Sequence, residues 1–246
     1  MSDLYVAQNL QMVLNRIRAA CGKRAPNLPD IQPRLVAASK TKPVECIVAA
    51  YNEGQRHFGE NYVQELEDKA NDKEILEKCT EIKWHFIGHL QSNKAKQVLS
   101  VPNIYVIETV DSAKLASLLD RNWVTEAKPK LKVMIQVNTS GEDVKSGIAP
   151  MEVPNLAKHI LQNCPNLQFD GLMTIGRLGY NPDGDPNPDF VKLRECRENV
   201  CEELNLELKD LNLSMGMSDD FERAIEQGST NVRVGTSIFG QRQQKA

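Results

Sequence analysis

Residues 35–43, LVAASKTKP, read as an apolar strand that stops on two lysines and hands over to a helix. Side chains alternate along a strand, so Val36, Ala38 and Lys40 share one face while Leu35, Ala37 and Ser39 share the other. Pro43 biases Lys42 toward extended backbone and suits a first helical turn, so the strand ends by Thr41 and a helix begins near Pro43. A lysine at the mouth of a strand, beside a second cation and partly out of water, would offer the neutral amine that attacks an aldehyde. Two solvated surface lysines fit the same letters, and this stretch alone leaves both readings open.

The strand-to-helix step recurs along the chain. Upstream, Leu4, Leu10, Val13, Leu14 and Ile17 stand at helical spacings between about Asp3 and Cys21, and Pro26, Pro29 and Pro33 follow. Residues 1–30 therefore read as a helix and loop leading into the first strand. Downstream, the helix after Pro43 runs through Tyr51 and a short strand covers His57–Gly59. Asn61 stands as the N-cap of a helix with Val63, Leu66 and Ala70 on one face. Trp84–Ile87, Ile104–Ile107 and the β-branched run Leu131–Val137 read as the next strands. Asp111 is expected to cap a helix ending at Leu119. Val153–Leu161 is helical, Leu167–Met173 is a strand, and Asn181–Asp189, NPDGDPNPD, is a surface loop. A charged helix over Phe190–Leu204, a strand over Leu211–Met215, a short helix near Asp219–Gln227 stopped by Gly228, and a strand over Asn231–Val234 complete the series.

Strands alternating this regularly with helices imply a parallel sheet, because parallel strands need crossover connections. The pattern fits an α/β fold, a single (β/α)8 TIM barrel occupying residues 1–246 as one domain. An open doubly wound sheet is the alternative, weakened by the lack of G-x-G-x-x-G after the first strand.

Composition narrows the functional classes. A hydrophobic fraction of 41% supports a core without staples, and a formal net charge of -3 gives no general attraction to nucleic acid or anionic membrane. The six cysteines form no C-x-x-C pair, the N-terminus has no basic-then-apolar leader, and no stretch is apolar for long enough to span a bilayer. A reduced cytoplasmic protein is the expectation, with an organelle left open and neither nucleic acid nor membrane as partner.

In barrels of this kind the site lies at the C-terminal ends of the strands, and the loops after the seventh and eighth often bind phosphate. Here they read Gly216-Met217-Ser218 and Gly235-Thr236-Ser237, each with a glycine for close backbone approach and a hydroxyl donor, the first opening a helix with free N–H groups. Plain turns are the alternative, with Asp219 and Glu222 as an acidic variant of a capping box. Arg233, two residues before Gly235, either points into the barrel as a fixed cation or outward to a helix carboxylate. Glu60, Asn61, Gln136, Asn138 and Thr174 are further polar positions at strand ends. His85 and His89 are four apart, but the strand-like WHFIG between them argues against a shared metal, and no metal ligand set is expected. Cys21 reads as inert.

Taken together, 35-LVAASKTKP-43, 58-FGENYVQE-65, 84-WHFIGHLQSNK-94, 145-KSG-147, 171-GLMTIG-176, 214-SMGMSDD-220 and 233-RVGTSIFG-240 closely resemble the pyridoxal-phosphate homeostasis protein family over nearly the whole chain. The resemblance implies a barrel like the N-terminal part of alanine racemase and pyridoxal 5′-phosphate as cofactor. It makes Lys40, rather than Lys42, the Schiff-base lysine. It assigns Ser218, Gly235 and Thr236 to the phosphate, Arg233 to the pyridine nitrogen and Asn61 to a cofactor contact. His89 departs from the family blocks and carries no role.

A cation at the pyridine nitrogen disfavours its protonation and weakens the ring as an electron sink. With no second domain expected to supply another acid/base group, the expectation is a non-enzyme without catalytic residues. It would hold, buffer or deliver pyridoxal phosphate in vitamin B6 homeostasis, as a monomer, with pyridoxal-phosphate-dependent enzymes as clients. A racemase-like enzyme acting on amino acids is the competing expectation. Lys42 is expected to raise the neutral fraction of Lys40 by repulsion or to accept the aldehyde during transfer.

Overall fold

The computed structural model describes residues 3–123, 129–142, 146–177 and 186–241. Among the described residues, eight strands close into a barrel: β1 (Arg34–Ala38), β2 (His57–Glu60), β3 (Lys83–Phe86), β4 (Ile104–Val110), β5 (Leu131–Gln136), β6 (Leu167–Met173), β7 (Asn212–Ser214) and β8 (Asn231–Val234). Each runs parallel to its neighbour, and β1 pairs with both β2 and β8, setting Val36 opposite Arg233 and Ala37 opposite Phe58.

The helices are α1 (Asp3–Cys21), α2 (Val44–Asn52), α3 (Val63–Ala70), α4 (Lys73–Lys78), α5 (Ala95–Leu99), α6 (Ala113–Asn122), α7 (Val153–Asn163), α8 (Pro188–Leu204), α9 (Phe221–Glu226) and α10 (Thr236–Phe239). The outward faces of the strands, with Ala37, Phe58, Trp84, Ile107, Val133 and Val234 fully buried, carry the main core beneath these helices. Helix α1 buries Val6, Leu10, Val13 and Ile17 and packs on α2, α9 and α10. It thereby straddles the seam where β8 meets β1. The expected TIM barrel is the observed fold.

Several local expectations change. Tyr62, not Asn61, precedes α3 at the cap position, and it makes no side-chain cap. Ser112, not Asp111, caps α6, its hydroxyl accepting the amide of Leu115 at 3.2 Å. The Asp219/Glu222 box, the alternative reading of that loop, does not form: Asp220 takes the Met217 amide, and Glu222 pairs with Arg16 on α1. Helix α8 starts at Pro188, inside the stretch read as loop, because Asn187 caps it and proline suits a first turn. Asn181–Asp185 and Lys145 lie outside the described residues. Helices α4, α5 and α10 had no counterpart in the sequence reading; each has six residues or fewer, too short for a clear periodicity.

Candidate functional site

A cavity of ≈ 370 Å³ opens at the C-terminal ends of the strands. Lys40, Asn61, Ser218, Arg233, Gly235 and Thr236 all border it. Sequence alternation had placed Lys40 on the face of Val36 and Ala38, and Ala38 lines the same wall. Lys42 does not border the cavity; its ammonium is turned to the carbonyl of Gln241 at 2.8 Å.

The loops after β7 and β8 meet through Ser218. Its Oγ accepts the amide of Gly235 at 3.2 Å and that of Ser237 at 3.4 Å. Gly235 is required by space, since a Cβ there would lie 2.9 Å from the carbonyl oxygen of Ala38, and Gly216 adopts φ +95°. Of the amides expected to be open to an anion, that of Met217 is taken by Asp220. Asp219 also borders the cavity.

Arg233 points inward. Its Nη1 donates to Ser214 Oγ at 2.7 Å and its Nη2 to the carbonyl of Thr174 at 2.8 Å. Ser214 donates to Glu108 at 2.5 Å, and His85 Nδ1 meets the other Glu108 oxygen at 2.6 Å. His57 Nδ1 lies 2.8 Å from His85 Nε2. A polar string thus crosses the barrel interior from β2 to β8, where layers of branched apolar side chains are the usual filling.

The proton positions follow from donor and acceptor capacity. The single hydroxyl proton of Ser214 goes to Glu108, leaving lone pairs for Arg233 and for Asn231 Nδ2 at 2.9 Å. Burial tends to raise the Glu108 pKa, but hydrogen bonding and charge from His85, with Arg233 and Ser214, hold it below the ordinary carboxylate range. Burial keeps His85 below its ordinary value against the pull of Glu108. His57 is pushed down to about 2 by burial and then by His85, Arg34, Lys83 and Lys132. Glu108 is therefore the ionised counter-charge of Arg233.

Glu108, His85 and Ser214 were not singled out for the site by the sequence. The available signal was a carboxylate inside β4, since the run IYVIETV stays β-like on either side of Glu108. His85 and His89 do not converge: His85 is fully buried in the barrel, whereas His89 is exposed and faces Asp111 at 3.7 Å. Gln136 and Asn138 are engaged by the loop after β5, through Ser146 and Glu142 respectively. Among the described residues no group of three or more metal-ligating side chains converges, and no helix is long and apolar enough to cross a membrane.

Residues 14–243 match the family described as alanine racemase, N-terminal domain, which defines the class of barrel. The pyridoxal phosphate homeostasis protein of Homo sapiens is 51% identical over 242 residues, 98% of this chain and 88% of that one. Its namesake from Haemophilus influenzae is 42% identical over 96% of each chain. The structure of PipY from Synechococcus elongatus with PLP bound superposes with a TM-score of 0.71 at 32% identity, covering 92% of this chain and 99% of PipY. The chain belongs to the pyridoxal phosphate homeostasis protein family.

The residues present fit PLP. A primary amine, two hydroxyl-bearing loops and a fixed guanidinium border one cavity whose volume lies in the ~300–1,000 Å³ range of small-molecule sites. Asn61, which also borders the cavity, has its side-chain Oδ1 buried without a hydrogen-bond partner.

Proposed function

We propose that this protein holds PLP in the barrel-mouth cavity and serves PLP homeostasis by binding and releasing it, without turnover of its own. The observation that carries this reading is the convergence of Lys40, Ser218, Gly235, Thr236 and Arg233 around one cavity. When bound, PLP supplies an aldehyde and a ring that withdraws electrons. Lys40 is the amine that condenses with that aldehyde, with loss of one water. Ser218, Gly235 and Thr236 receive the phosphate, and Asn61 contacts the ring side.

Arg233 faces the pyridine nitrogen as a permanent cation, its charge secured by Glu108 through Ser214. A donor that never gives up its proton leaves the ring nitrogen unprotonated, which weakens any stabilisation of an α-carbanion. That supports holding over racemisation. The same reading makes the protein a cytoplasmic monomer that passes PLP to PLP-dependent enzymes.

The test is α-hydrogen exchange of amino acids in deuterated water, run beside PLP release to a PLP-free acceptor enzyme. Transfer without exchange is expected. Exchange that disappears in Lys40→Ala would make the protein an amino-acid enzyme instead.

A further inference from the structure

Thr41, the residue after Lys40, sits at φ +63°. This left-handed conformation is costly for a β-branched side chain, because Cβ crowds the following carbonyl. Such strain persists only where the surroundings impose it. The surroundings are a buried charged group that reaches the residues on both sides of Lys40.

Lys69, on the last turn of α3, is 7% exposed. Its ammonium donates to the Ser39 carbonyl at 2.8 Å, to Glu60 Oε1 at 2.7 Å and to Glu65 Oε1 at 2.6 Å. Those three bonds use all of its protons. Glu65 Oε1 also accepts the strained Thr41 amide at 2.6 Å, and Glu60 Oε1 accepts the Ser39 hydroxyl at 2.7 Å. Ser39 and Thr41 are therefore both tied to one ammonium, directly and through its two carboxylates, with Lys40 between them.

We propose that Lys69 is a positioning residue for Lys40: with Glu60 and Glu65 it holds the 39–41 turn in its strained form, so that the Lys40 amine faces the cavity. This rests on the reading of Lys40 as the amine that takes up PLP. Lys69 itself does not border the cavity, so its effect is on the backbone that carries Lys40. Arg233 and the phosphate residues Ser218, Gly235 and Thr236 come from other loops and do not pass through it; Asn61 alone among the proposed contacts follows a residue, Glu60, that Lys69 holds.

The experiment compares wild type, Lys69→Met, Thr41→Gly and the double variant with two probes. PLP, fixed by borohydride at timed intervals, reports the rate of bond formation at Lys40. Pyridoxine 5′-phosphate, an alcohol in place of the aldehyde, reports ring and phosphate binding alone. Lys69→Met should slow fixation about tenfold, the size of one left-handed residue's penalty, and leave pyridoxine phosphate affinity within about twofold. Thr41→Gly, which removes that penalty, should restore most of the rate in the Lys69→Met background.

Glu65→Gln, a milder change, should slow fixation in the same direction should Lys69→Met fail to fold. Amide hydrogen exchange at Thr41 in PLP-free protein should be faster in either variant. Unchanged fixation and exchange would overturn the proposal, as would equal loss of both probes or no rescue by glycine. A wild type that fixes no PLP but shows the exchange effect would remove the cofactor reading and leave the positioning of residues 39–41 intact.

Discussion

Glu60 sits beside the Lys40 turn with one oxygen bonded to Lys69 and Ser39 and the other, Oε2, buried without a partner. Burial pushes its pKa up to about 7, against the pull of Lys69 and Ser39. A carboxylate raised on folding contributes stability that is complete below its ordinary value of 4.5 and is lost as pH rises through about 7. The stability difference between wild type and Glu60→Gln should therefore shrink by roughly 3 kcal/mol at most as pH rises from about 5 to about 8. Chemical unfolding at several pH values measures it, and a flat difference would contradict the account. Glu108 behaves oppositely, because it is ionised and shared between His85 and the Ser214–Arg233 arm. Glu108→Gln leaves the Arg233 cation buried without its counter-charge and should cost about 3 kcal/mol in urea unfolding. A loss below about 1 kcal/mol, the scale of an exposed ion pair, would remove that role.

At the scale of elements, the site is two short loops and one strand end pressed together. Gly235 packs against the Ala38 carbonyl, so Gly235→Ala forces β1 and β8 apart where Lys40 and the loop proposed to receive the phosphate meet. The expected outcome is a stability loss of roughly 1–3 kcal/mol and weaker binding of phosphorylated ligand, read by thermal unfolding with and without PLP. An unchanged PLP-induced shift would contradict it. Strand ends were legible in the sequence because LVAAS, LQFDGLM and NVRV are apolar or alternating runs bounded by Gly, Pro or a cap. Polar residues just beyond such runs fall at the mouth by geometry, which is why Lys40, Asn61 and Ser218 could be named. The interior string was not legible for the opposite reason. Strand four was ended at Ile107, just before Glu108, and a carboxylate in mid-strand becomes intelligible only when β3, β7 and β8 bring His85, Ser214 and Arg233 to it. Caps were read one residue early at Asn61 and Asp111, where an adjacent residue held the backbone geometry.

For the whole molecule, the closed barrel converts distant sequence blocks into one wall. Lys40 on the first strand and Gly235 on the last are neighbours only because β1 pairs with β8. Helix α1, laid across that seam, ties α2 to α9 and α10 and so braces the wall from outside. The interior of the barrel serves the same end, since its polar string terminates on Arg233. Together these parts form the proposed PLP site, with Lys40 as its amine. Borohydride reduction of the purified protein after addition of PLP, followed by peptide mass mapping of wild type and Lys40→Ala, tests that site. A single reduced adduct at Lys40, absent from the variant, is expected. No adduct, or one equally abundant on Lys42 or elsewhere, would contradict it.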